Sequence, residues 1–127
     1  MSGAAIAVQR ALVAALAGLD VSGVYDGPPA DAAYPYAAIS DGSTTDWSHK
    51  SGRGREHRLS LAIWDDGTVP ARLHALLAAA EDLIEAMPRD LPGQRIVCLA
   101  FLRSRLVRDP AGPWVGRIDY RVRTLES

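Results

Sequence analysis

The chain predicts an α+β domain: an antiparallel four-stranded sheet with two helices packed on one face, in the order α-β-β-α-β-β. Three observations carry this. Apolar residues recur with a helical period over 8–19 and again over 73–87. They alternate with period two over 59–63. Two long alternating segments, 95–108 and 115–124, flank a turn rich in proline and glycine. At 127 residues the chain fits one domain, 1–127, of a size that buries a core without staples.

Each element has its own signal. Val8, Leu12, Leu16 and Leu19 form one stripe of a 3.6-residue repeat, with alanines on the flanks. The apolar stretch from Ala4 to Leu19 is interrupted by Gln9 and Arg10 and has no basic stretch before it. It therefore reads as a core helix rather than a signal peptide. Gly18 and the Gly23–Pro29 segment end it, and Tyr25-Asp26-Gly27-Pro28-Pro29 marks a turn and extension. A short strand is expected over Tyr36–Ser40. Residues 41–54 show neither period and are expected to form a polar loop, long enough to be functional or mobile.

In Arg55–Trp64, Leu59, Leu61 and Ile63 share one strand face, and Asp65-Asp66-Gly67 closes the strand. The second helix has Thr68 as expected N-cap and Pro70 near its first turn. Leu73, Leu76, Leu77, Ala80, Ile84 and Met87 make its buried stripe, and Pro88 stops it. Strands 95–108 and 115–124 then form a hairpin around Asp109–Trp114. Ile96, Cys98, Ala100, Leu102 and Leu106 are expected inward, as are Ile118, Tyr120, Val122 and Thr124. With both even-numbered faces inward, parity sets Asp119 opposite Arg103 or Arg105 on the outer face, among Arg117, Arg121 and Arg123. Val97, Leu99 and Phe101 fall on that same outer face. They are either covered by another segment, such as 25–40, or form the apolar half of a protein–protein interface.

Composition excludes several classes. Apolar residues are 48% and charged residues 23%, ordinary globular values, and the net charge of −1 excludes a polycation. The charge is polarised, with 6 Lys/Arg against 11 Asp/Glu in residues 1–88 and 8 against 4 in 89–127. Such a chain suits self-association or docking on a charged partner. The single cysteine, Cys98, sits in an apolar run, forms no internal disulfide and suits a reducing cytosol.

No catalytic or metal-binding pattern stands out, and no cofactor is expected. His49, His57 and His74 form no zinc spacing, and His57 reads as a structural or surface histidine. Asp65-Asp66 is explained by turn chemistry before Gly67. Ser51-Gly52-Arg53-Gly54 lacks the phosphate-loop pattern, and no G-x-S-x-G is present. Two competing functions stay open. One is a ligand-binding or enzymatic pocket near Trp47, His57, Trp64 and Asp65. The other is a nucleic-acid module on the arginine strands, for which Phe101 is the one aromatic expected on the arginine face.

The order of features also carries a resemblance. Tyr34-Pro35-Tyr36-Ala37-Ala38-Ile39 is followed by Asp46-Trp47-Ser48, a strand ending Leu61-Ala62-Ile63-Trp64, a helix, a long apolar strand and a closing Tyr120-Arg121-Val122-Arg123-Thr124. This resembles the small phage tail-completion and tail terminator proteins of siphophages, prophages and gene transfer agents, from the first helix to Thr124. The resemblance implies a structural virion protein, not an enzyme, made in the bacterial cytoplasm and placed at the head–tail interface. It implies a homo-oligomer, a hexameric ring, that caps the tail tube and meets the tail tube protein and the head-completion (connector) protein. DNA would pass through the lumen, and no membrane is involved. The residues expected to carry subunit or partner contacts are Trp47, Ser48, His49, Lys50 and Arg53 in the loop. On the sheet they are Val97, Leu99, Phe101, Arg103, Arg105, Arg117, Arg121 and Arg123.

Overall fold

A computed structural model describes residues 3–27, 29–108, 110 and 112–127. Helix α1 spans Gly3–Ala15 and runs into a 3-10 turn at Leu16–Gly18. Strands β1 (Val24–Asp26), β2 (Tyr36–Asp46) and β3 (Gly54–Asp65) follow, then helix α2 (Ala71–Glu85) and strands β4 (Asp90–Leu91), β5 (Gln94–Arg108) and β6 (Trp114–Glu126).

The expected four-stranded antiparallel sheet is corrected. The strands form one six-stranded mixed sheet in the order β1-β2-β3-β6-β5-β4, with β1 parallel to β2 and the other neighbours antiparallel. It curls into a half-barrel around the two helices. The two additional strands are three and two residues long, too short to display a period.

The four longer strands lie where alternation placed them, with one substantial difference. β2 continues to Asp46, so the expected loop over 41–54 is half strand, and only residues 47–53 form the turn. From Gly42 to Asp46 every residue is exposed. A strand with no buried face leaves no period-two signature.

The core lies between the sheet and both helices. Val8, Leu12, Leu16 and Leu19 meet Ile39, Leu61 and Ile63 from the sheet, and α2 contributes Leu73, Leu76, Leu77, Ala80 and Ile84, with Met87 just beyond it. Both helical stripes are thus buried as their spacing requires. The N-cap position of α2 is Pro70, which offers no side-chain cap, so Thr68 does not take that place. Helix and sheet approach closely at Gly116, where a Cβ atom would lie 2.8 Å from the Leu77 methyl groups.

The β5–β6 register corrects the parity argument over one segment. Bulges between Ile96 and Cys98 and between Phe101 and Arg103 shift the pairing by one residue each. Ile96 pairs with Thr124, but Leu99 pairs with Val122 and Phe101 with Tyr120, which puts both on the core side. Leu99 packs against the core, and the Phe101 ring meets Tyr120 edge-on at 5.8 Å. Cys98 and Ala100, expected inward, instead pair with Arg123 and Arg121. Beyond the second bulge the original parity returns, and Asp119 lies opposite Arg103. Asp109 and Ala111 of the expected turn, like Pro28, lie outside the described residues, and Trp114 is the first residue of β6.

Candidate interaction surface

The sheet face turned away from the helices carries the even residues of β3 and the odd residues of β6, because β3 and β6 pair as Glu56 with Arg123, Arg58 with Arg121, Ser60 with Asp119 and Ala62 with Arg117. β5 adds Arg103 opposite Asp119 and Arg105 opposite Arg117. Arg58, Arg103, Arg105, Arg117, Arg121 and Arg123 therefore share one face with, among the described residues, only Glu56 and Asp119 as carboxylates. Between Arg58, Arg103, Arg105, Arg117, Asp119 and Ser43 of β2 lies an open depression of about 780 Å³.

The two carboxylates are fully engaged. Arg103 Nε donates to Asp119 Oδ2 at 2.7 Å, and Arg123 Nε donates to Glu56 Oε1 at 2.9 Å. Arg58 stands 3.9 Å from the other Glu56 oxygen. Burial pushes the Asp119 carboxyl upward, but hydrogen bonds from Arg103 and Ser60 and the nearby arginine charges outweigh it and hold the group below its usual range. The hydrogen bond from Arg123, helped by the charges of Arg58 and Arg121, likewise lowers Glu56. Two carboxylates against six guanidinium groups leave a net positive band, with Arg121 Nε buried and without a hydrogen-bond partner. Glu56 was not among the residues expected at this surface. Its signal was its even position in β3, which puts it on the face of Arg58.

The 47–53 turn joins this band at one end. Trp47 meets the His49 ring edge-on at 4.4 Å, and the Arg123 guanidinium stands 5.1 Å from the Trp47 ring centre. Ser48 Oγ accepts from the Gly54 amide at 3.1 Å and donates to Asp46 at 2.7 Å. Lys50 is exposed, and Arg53 reaches Glu126 at 3.7 Å across the surface. Gly54 is required here, since a Cβ atom would collide with the Trp47 carbonyl. The structure thus brings Trp47, His49 and the arginines together. It separates Val97, Leu99 and Phe101, because the bulges turn the last two toward the helices. The aromatics on the arginine face are Trp47 and, at the far end, the stacked pair Tyr36–Trp64 at 6.3 Å, rather than Phe101.

The competing pocket does not assemble as expected. His57 and Trp64 line a cavity of about 640 Å³ with Gln9, Asp26, Tyr36 and Thr44, but Trp47 and Asp65 do not border it. Asp65 instead accepts two hydrogen bonds from Arg72, which hold its carboxyl below its usual range. The buried His57 links Thr44 Oγ1 through Nδ1 at 3.0 Å and Thr124 Oγ1 through Nε2 at 3.1 Å. Both ring nitrogens are committed to structure, and burial together with Arg55 lowers the pKa of the ring. Among the described residues no group of three or more His, Cys, Asp or Glu side chains could hold a metal ion, and no helix is long and apolar enough to cross a membrane.

Comparison with known proteins agrees with a surface-based role. The sequence profile of the family described as "Tail completion protein gp17" matches residues 4–125. The bacteriophage SPP1 gp17 protein has a similar structure, with a TM-score of 0.68 and 25% identity, covering 95% of this chain and 91% of that one. A chain of the virion of a native gene transfer agent particle shares the fold, with a TM-score of 0.64 and 24% identity, covering 94% and 92%. No curated sequence matches at a significant level.

Proposed function

The chain belongs to the tail completion protein gp17 family and is a structural protein of phage-like particles rather than an enzyme; from that premise we propose that it closes into a ring on the tail tube. The ring ends tube growth and presents the surface to which the filled head is joined. Its partners are other copies of this chain, six in all, the tail tube protein and the head-completion connector, with DNA passing through the lumen. The observation that carries this reading is the arginine band, six guanidinium groups against two carboxylates among the described residues of the sheet face turned away from both helices.

Such a band is self-repelling in the free subunit and gains from an anionic neighbour. A ring closes through heterologous contacts, in which two different patches of one subunit complement each other. In this reading Arg103, Arg105, Arg117, Arg121 and Arg123 serve as partner contacts. Trp47, Ser48, His49, Lys50 and Arg53 dock on a neighbour from the turn, and Val97 and Phe101 contribute from β5, whose Leu99 is given to the core. The half-exposed Phe101, at 44%, suits that role.

The test is deletion of the gene from a phage-like element, with particles counted by electron microscopy. Tails of aberrant length and unjoined heads are expected, restored by the wild-type chain and not by Phe101→Asp, whose purified monomer stays folded. Normal tails joined to heads in the deletion strain refute the reading.

A further inference from the structure

β1 and β4 each cover only part of a sheet edge. β1 pairs with β2 at Ala37–Ile39 alone, and β4 pairs with β5 at Gln94 and Arg95 alone, with the Ile96 amide bonded to the Arg89 carbonyl just beyond. Among the described residues no strand therefore pairs with the outer edge of β2 over Gly42–Asp46, or with that of β5 over Arg103–Arg108. Both stretches lie beyond the bulges of their strands, in regular register with their inner neighbours. They occupy diagonally opposite corners of the sheet. The β2 stretch aligns through β3 and β6 with the covered end of β5, and the β5 stretch aligns with the covered end of β2. An open edge of five or six regular residues is a template for strand addition.

We propose that a second copy of this chain occupies each open corner, the β5 edge of one subunit pairing with the β2 edge of the next. This rests on the ring reading above and names its contact. Charge selects this pairing over an edge meeting its own kind. The β5 stretch carries Arg103, Arg105 and Arg108 and no acid, whereas the β2 stretch Gly42–Asp46 carries Asp46 and no base. Two β5 edges would repel, and so would two β2 edges; the unlike pair attracts. The contact is heterologous, as a closing rotation requires.

Its direction follows from topology. β5 runs parallel to β3, and β2 runs antiparallel to β3. Neighbouring sheets that keep their helices on the same side therefore join β5 to β2 in the antiparallel sense. Thr45 pairs with Glu56 and Arg105 with Arg117, so both point to the arginine face and meet across the new boundary.

Adjacent strand residues send their amides to opposite edges, so Ser104→Pro and Arg105→Pro separate the two roles of β5. One proline removes an amide used by β6 and lowers the stability of the subunit. The other removes the outward amide, leaves the subunit as stable as before and weakens assembly about tenfold or more. In particles completed by a Cys98→Ser, Thr45→Cys, Arg105→Cys chain, a short thiol cross-linker yields a ladder up to the ring. Either single-cysteine chain, on the same Cys98→Ser background, gives no ladder beyond a dimer. Rings that tolerate both prolines, or a double-cysteine chain that gives no ladder, overturn the edge pairing while the ring stands. Particles completed by a chain that electron microscopy finds at the tail end as a single copy overturn both.

Discussion

Replacing His57 with alanine tests the interior of the sheet most directly. The imidazole is 1% exposed and bridges three strands, holding Thr44 of β2 and Thr124 of β6 from β3. Thr44 is exposed and recovers its bond from water, at little cost. Thr124 is fully buried, and its stranded hydroxyl costs about 1–3 kcal/mol. The lost ring contacts and the remaining void add about 1–2 kcal/mol. A total of about 3 kcal/mol is expected. With an unfolding entropy of about 2.1 cal/mol/K per residue, the 127-residue chain should lose about 11 °C in Tm.

The pH dependence adds an independent arm. The folded pKa of His57 lies below the usual 6.5, so below that pH the unfolded chain takes up a proton that the folded chain refuses. This contribution to stability is complete above pH 6.5 and is lost as pH falls toward the folded value, by up to about 1.4 kcal/mol per pH unit. His57→Gln takes up no proton and lacks this loss. Urea melts of the three proteins between pH 5 and pH 8 measure both effects. A penalty for His57→Ala under about 1 kcal/mol, or parallel profiles for wild type and His57→Gln, refutes the reasoning.

Two further changes probe the frame that presents the surface. Gly116→Val forces a side chain into the Leu77 methyl groups 2.8 Å from the ideal Cβ position and should cost about 1–3 kcal/mol. Adding Leu77→Ala should return part of that loss, and calorimetry of the four-member cycle checks it. Asp65→Asn should cost about 1–2 kcal/mol, the charged bonds to Arg72 being discounted because that arginine is 53% exposed. Since the Asp65 pKa is lowered, its stabilisation is present above its usual 3.8 and lost as pH falls through the folded value. Acid titration of unfolding compares it with the variant.

Much of the frame was legible because burial writes a period into the chain. The stripes Val8–Leu19 and Leu73–Met87 and the alternation at Leu59, Leu61 and Ile63 each describe a surface with one dry side. Parity placed Asp119 opposite Arg103 or Arg105, and the structure holds it against Arg103 at 2.7 Å. The arginine face was likewise visible in the alternation of β6.

What stayed hidden had no periodic cause. Gly42–Asp46 is a strand because β3 offers it hydrogen bonds, while water covers its side chains. Alternation shows where a side chain is buried, and it carries no record of backbone pairing along an exposed strand. The two β5 bulges are set by how the strand meets β6, and they reassign Leu99 and Phe101 to the other face without altering composition.

The local period of apolar residues thus decided the two helices and the long strands β3, β5 and β6, since each depends on neighbours a few positions apart. Sheet order, the parallel β1, the bulged register and the two open corners were decided by contacts between segments far apart in the chain. Those contacts depend on which backbone edges meet in space, a quantity that no single segment contains.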